Sequence, residues 1–128
     1  MSYNVYRVSS AGMPRDHHAI FVETNNPTTG CGHIYQVTGN IQTGMTYETK
    51  PASRPPEEDP SFLTKVLIGT VQAAMHPDMY RTVCCSVQPP KKQFDGPRRL
   101  FPQEPIRRCQ EWTAEAIQAL TDAGILKQ

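Results

Sequence analysis

The chain has 128 residues, a formal net charge of +1 and 38% hydrophobic residues. That length supports one small domain around one core, here taken as residues 1–128. The near-neutral charge removes the basic footprint of a nucleic-acid binder, and the 12 prolines imply many punctuated loops.

No stretch is apolar for long enough to cross a bilayer, so no membrane span is expected. The segment Met1–Arg7 lacks a signal-peptide core. A cytoplasmic location follows as the expectation, and thiols stay reduced there. The four cysteines are Cys31, Cys84, Cys85 and Cys109. Their spacing fits no zinc motif, so neither a metal nor another cofactor is expected. Buried reduced thiols are the plain reading of Cys31, Cys84 and Cys85.

Tyr3 to Val8 alternates aromatic or β-branched residues with polar ones, which predicts a strand. Ser9 to Pro14 is a loop. Ala19 to Glu23 is a compact run of β-formers and reads as a core strand. Asn25 to Gly30 carries strong turn chemistry. His33 to Thr38 is then the returning strand, so residues 17 to 38 form a hairpin. Met45 to Thr49 adds a strand after a turn at Asn40–Gly44.

Lys50 to Pro60 reads as an exposed loop bearing Glu57, Glu58 and Asp59. Lys65 to Val71 is another strand, with Gly69 as a bulge or a point of close approach. Pro77 opens a helix running to about Ser86, whose face carries Met79, Tyr80, Val83, Cys84 and Val87. Gln88-Pro89-Pro90 stops it. Lys91 to Pro105 is irregular. The last helix places Cys109, Trp112, Thr113, Ala116, Ile117 and Leu120 on one stripe, with Gly124 as its stop.

Cys109 therefore opens a helix. Unpaired N–H groups and the dipole there favour a thiolate, and Arg107 and Arg108 act in the same direction. A small apolar residue packed beneath the helix is the alternative. His17 and His18 open the first hairpin strand and face opposite sides, so one of them at most serves as a base. Either histidine can equally be a polar strand end. A base needs a third group to orient it, and Gln36 or His33 on the returning strand has that capacity, though their opposite parity allows only one. Both also fit as polar residues of a half-exposed strand. Lys91, Lys92, Arg98, Arg99, Arg107 and Arg108 crowd the approach to Cys109. A solvated basic face is the default; attraction of an acidic or phosphopantetheine-bound substrate is the alternative.

His17-His18-Ala19-Ile20-Phe21-Val22 resembles the H-x-[AG]-[IL]-[YF]-[VL] strand of lecithin:retinol acyltransferase-like proteins. Cys109-Gln110-Glu111-Trp112 resembles their N-C-E-H-F helix start. Those proteins form a circularly permuted branch of the NlpC-like, papain-like superfamily, where the histidine strand precedes the cysteine helix. The permuted deubiquitinating and desumoylating peptidases share that order. The resemblance implies Cys109 as nucleophile, His17 as base and Gln36 at the third polar position. Gln36 stands where the acyltransferases carry histidine, and Arg108 where they carry asparagine. Their hydrophobic membrane-anchoring tail has no counterpart before Gln128. With Lys91–Pro97 leading to the Cys109 helix, the chain is also similar to small uncharacterised proteins common in filamentous fungi, which supplies no activity.

The fold expected is α+β: an antiparallel sheet of four to six strands against two or three helices, with a permuted papain-like arrangement. The function expected is a cysteine-nucleophile hydrolase or acyltransferase. Its substrate is an amide, ester or thioester, borne by a small molecule, a peptide or a carrier. Two rivals remain: an inactive papain-like domain that binds a protein or small-molecule partner, and a small biosynthetic enzyme that does not use the thiol.

Overall fold

A computed structural model describes residues 2–12, 16–24, 32–52, 55–76 and 78–127. The expected turn at Asn25–Gly30, Cys31, Pro77 and part of the Ser9–Pro14 loop lie outside these residues, as does the side chain of Met79.

The fold is α+β, with a five-stranded antiparallel sheet and two α-helices among the described residues. The strands are β1 (Ser2–Ser10), β2 (His17–Glu23), β3 (Gly32–Asn40), β4 (Gly44–Ala52) and β5 (Phe62–Gln72). The helices are α1 (Asp78–Ser86) and α2 (Cys109–Asp122). Within the segment expected to be irregular, β6 (Phe94–Asp95) and β7 (Arg98–Arg99) form a small separate hairpin. The segment expected as a loop from Lys50 to Pro60 begins as the end of β4 and contains a short 3-10 turn at Pro56–Glu58.

Strand order is β4-β3-β2-β1-β5. Thus β2 lies at the centre, consistent with its unbroken apolar run: Ala19, Ile20, Phe21 and Val22 are all buried, on both sides of the sheet. On one side, Val5, Ile20, Val22, Tyr35, Val37 and Val71 meet Tyr80 and Cys84 of α1 and Trp112, Ala116 and Leu120 of α2. The apolar stripe of α2 packs on β2 and β3, and its Trp112 indole donates to the carbonyl of Val87 at 2.9 Å, tying α2 to the end of α1. On the other side, Phe21 packs near Tyr6, and the 3-10 segment is held over β5 by an ion pair between Lys65 and Glu57 at 2.8 Å.

Gly69 has both properties expected of it. The β1–β5 register slips between Val5 and Tyr6, so Ile68 is extra. Gly69 itself has φ of 154°, and a methyl group there would overlap the carbonyl oxygen of Lys127. That close approach lets Thr70 and Lys127 exchange backbone hydrogen bonds of 2.7 and 2.8 Å, which docks the chain after α2 against β5. Gly124, with φ of 74°, terminates α2 as expected. No helix among the described residues is long and apolar enough to cross a membrane.

Candidate active site

His17 is the first residue of β2 and Cys109 the first of α2. Because α2 lies across β2 and β3, its N-terminus comes to the end of the strand where His17 sits. The Thr113 hydroxyl donates to the carbonyl of His18 at 3.2 Å, and the Gln110 amide donates to the carbonyl of Asp16 at 3.0 Å. These two bonds straddle His17. The Cys109 sulfur lies 4.0 Å from the same Asp16 carbonyl oxygen.

Cys109 and His17 share a hydrogen bond, and it is the largest influence on the imidazole. It raises the His17 pKa above the usual histidine value. Burial opposes that rise, and the bond to Gln36 and the charge of the cysteine reinforce it.

Gln36 reaches His17 through the β2–β3 ladder. Ile20 pairs with Tyr35, so Gln36 falls on the same side as His17 and diagonal to it. His17 Nε2 and Gln36 Oε1 are 2.8 Å apart. The other end of the amide, Gln36 Nε2, donates to Glu48 Oε1 at 2.9 Å. A carboxylate only accepts, so the amide oxygen faces the histidine, and Nε2 carries the proton. Nδ1 is then the nitrogen left for the thiol.

Cys109 and His17 border one cavity of about 540 Å³, with apolar walls from Val37, Ile41, Met45 and Phe94. His17 also borders a smaller cavity of about 170 Å³ on the other side of the sheet, shared with Gln36, Phe21 and Phe62. Of the basic residues, Arg108 lines the larger cavity. Lys91, Lys92, Arg99 and Arg107 bind protein acceptors: Glu104, the Gln42 carbonyl, the Glu104 carbonyl and Glu115. Arg107 grips Glu115 through three contacts of 2.7 to 3.1 Å. Those partners favour the solvated-face reading of these four residues. At the helix start, Glu111 accepts from the Arg108 N–H at 2.6 Å, satisfying a donor that the sequence leaves unassigned.

The structure thus brings Cys109, His17 and Gln36 together. It separates His33, which lies beside His76 with ring centroids 5.4 Å apart. Burial and nearby Arg81 lower the His33 pKa. Cys84 is fully buried, and burial pushes its thiol up to about 12, while Cys85 is exposed. Glu48 is the residue of this cluster that sequence reading did not single out. The signal was present: a hairpin turning at Asn40–Gly44 sets Gln36 directly opposite Glu48.

A family model matches residues 5–127, nearly the whole chain. The chain belongs to DUF6540, a family of unknown function. The DUF6540 match spans His17, Gln36, Glu48 and Cys109. No curated protein and no solved structure matches the chain.

Proposed function

We propose that this chain is a cysteine-nucleophile hydrolase or acyltransferase acting on an amide, ester or thioester, with a permuted papain-like arrangement of its site. One observation carries the reading. His17 is bonded to the Cys109 thiol on one side and to Gln36 on the other, and the cysteine is the main cause of its raised pKa. A nucleophile, a base and a group that orients the base are the minimum for this chemistry. The histidine-before-cysteine order and the helix-on-sheet packing agree with the same reading.

In the proposed reaction His17 Nδ1 takes the thiol proton and the Cys109 sulfur attacks the carbonyl carbon. The bond from carbon to the leaving nitrogen, oxygen or sulfur breaks. The leaving group takes the proton from the imidazolium, and a thioester remains on Cys109. Water, or an acceptor amine or alcohol, then loses its proton to His17 and releases the acyl group, restoring the thiol. Backbone N–H groups at the start of α2 supply the oxyanion contacts. The apolar walls of the larger cavity suit the acyl part of an acyl-bearing small molecule, a peptide or a carrier-bound group. The chemistry needs a reduced thiol, which a cytoplasmic setting maintains.

The test is iodoacetamide alkylation of the native protein across pH, read at each cysteine by mass spectrometry. Early labelling of Cys109 near pH 6, lost in His17→Ala, is the expected result. An ordinary thiol profile, with half-reaction near pH 8.5, would overturn the nucleophile reading in favour of a groove that binds without chemistry.

A further inference from the structure

We propose that Glu48 is a positioning residue of this site, acting through the Gln36 amide to hold His17 in the tautomer and orientation that meet Cys109. This rests on the thiol reading above.

A glutamine beside a histidine is ambiguous. Its amide can turn its oxygen to the ring and accept a proton from Nε2, or turn its nitrogen to the ring and donate to a bare Nε2. The second arrangement puts the ring proton on Nδ1, facing the thiol, and a nitrogen that already carries a proton cannot take one from sulfur. The choice between the two therefore decides whether His17 is a base at all.

Glu48 makes that choice. Its carboxylate accepts and never donates, so it draws the NH2 end of Gln36 toward itself, at 2.9 Å. The oxygen end is left for His17, at 2.8 Å. The bond to Gln36 is the main cause holding the Glu48 carboxyl below its usual range, and Lys50, 3.4 Å away, adds to it. The acceptor therefore stays ionised wherever the imidazole titrates. When His17 takes up the thiol proton, the same chain of bonds sets a negative charge behind the imidazolium.

The hairpin guarantees the alignment. Gln36 pairs with Glu48 in a ladder running from Gly32–Ala52 to Asn40–Gly44. The Asn40 side chain closes the turn by accepting from the N–H groups of Gln42 and Thr43 at 2.9 and 3.1 Å. A slip of one residue would put Tyr47 or Thr49 opposite Gln36 and turn Glu48 to the far face.

The experiment uses the 128-residue chain labelled with 15N-histidine, as wild type, Glu48→Ala and Glu48→Gln. Ring nitrogen shifts of His17 above its titration range report where the proton sits. Wild type is expected to hold the proton on Nε2. Glu48→Ala is expected to show both tautomers and a Cys109 alkylation rate at pH 6 about threefold lower. Glu48→Gln can offer Gln36 either end of its own amide, so it is expected to leave both tautomers populated, with a rate between those of wild type and Glu48→Ala. A wild-type tautomer and rate in Glu48→Ala would overturn the inference. Failure of the wild-type Cys109 to label early overturns the thiol reading instead, and the ring shifts tell the two failures apart.

Discussion

Thr113, buried within α2, donates its hydroxyl to the backbone carbonyl of His18 at 3.2 Å. One helical turn before it stands Cys109; one residue before His18 stands His17. The bond therefore ties the first turn of α2 to the start of β2, where Cys109 and His17 stand. Replacing Thr113 with Val keeps the shape and removes the donor. The expected cost is about 1 kcal/mol of stability, or a Tm lower by roughly 3–6 °C. A thermal melt and Cys109 alkylation at pH 6 check it, and the alkylation should slow while that of exposed Cys85 stays unchanged.

Cys109→Ser and His17→Ala should each abolish turnover of any substrate found, with circular dichroism unchanged. His18→Ala should retain most of it, because strand alternation points His18 away from the His17 side. A loss in His18→Ala with retention in His17→Ala would mean the strand register is wrong by one residue.

The titration of His17 has a definite sign. Its bond to Cys109 and its bond to Gln36 both raise the pKa, while burial lowers it. Cys109→Ser and Gln36→Ala should therefore each move the midpoint down, followed by the ring proton signals in NMR. The stabilisation from holding the imidazolium is complete below pH 6.5. It fades as pH rises through the raised value. An upward shift in either variant would contradict the assigned partners.

His76 behaves in the opposite sense. Burial and neighbouring His33 lower its pKa to about 4, and its Nε2 shares a hydrogen bond of 2.6 Å with the buried Tyr35 hydroxyl. The unfolded chain takes up this proton near pH 6.5 and the folded chain only near pH 4, so stability falls as pH drops between them. The full linkage is roughly 3 kcal/mol, about half of it after allowing for the partial exposure of the ring. Urea midpoints at pH 7 and pH 4.5 measure the loss, and His76→Phe should flatten it.

Gly69→Ala should destabilise the fold by about 2–3 kcal/mol, because the new methyl group meets the Lys127 carbonyl oxygen and the backbone has φ of 154°. Denaturant melts give the value. Hydrogen exchange at Thr70 and Lys127 should rise most.

Local patterns made much of this legible. The alternation at Tyr3–Val8 and His33–Thr38, the apolar run at Ala19–Glu23 and the stripe from Cys109 to Leu120 each mark an element that forms. The period of two allowed only one of His17 and His18, and only one of Gln36 and His33; the resemblance pointed to His17 and Gln36, and the β2–β3 register sets those two diagonal to each other. Two features were not legible. Pairing of β1 with β5 joins segments far apart in sequence, and no local pattern encodes it. The Phe94–Arg99 hairpin is too short for its alternation to register against the flanking prolines. Glu48 escaped notice because a carboxylate on a half-exposed strand is unremarkable until the opposite strand is in place.

Strand β5 is flanked on one side by Ser2, opposite Gln72, and on the other by Lys127, opposite Thr70. At ordinary strand spacing Ser2 and Lys127 lie roughly 12 Å apart. A few added residues would join them, and the polar stretch between β4 and β5 would serve as a new opening. The rewired chain would then read cysteine helix first and histidine strand second, with neither side chain displaced.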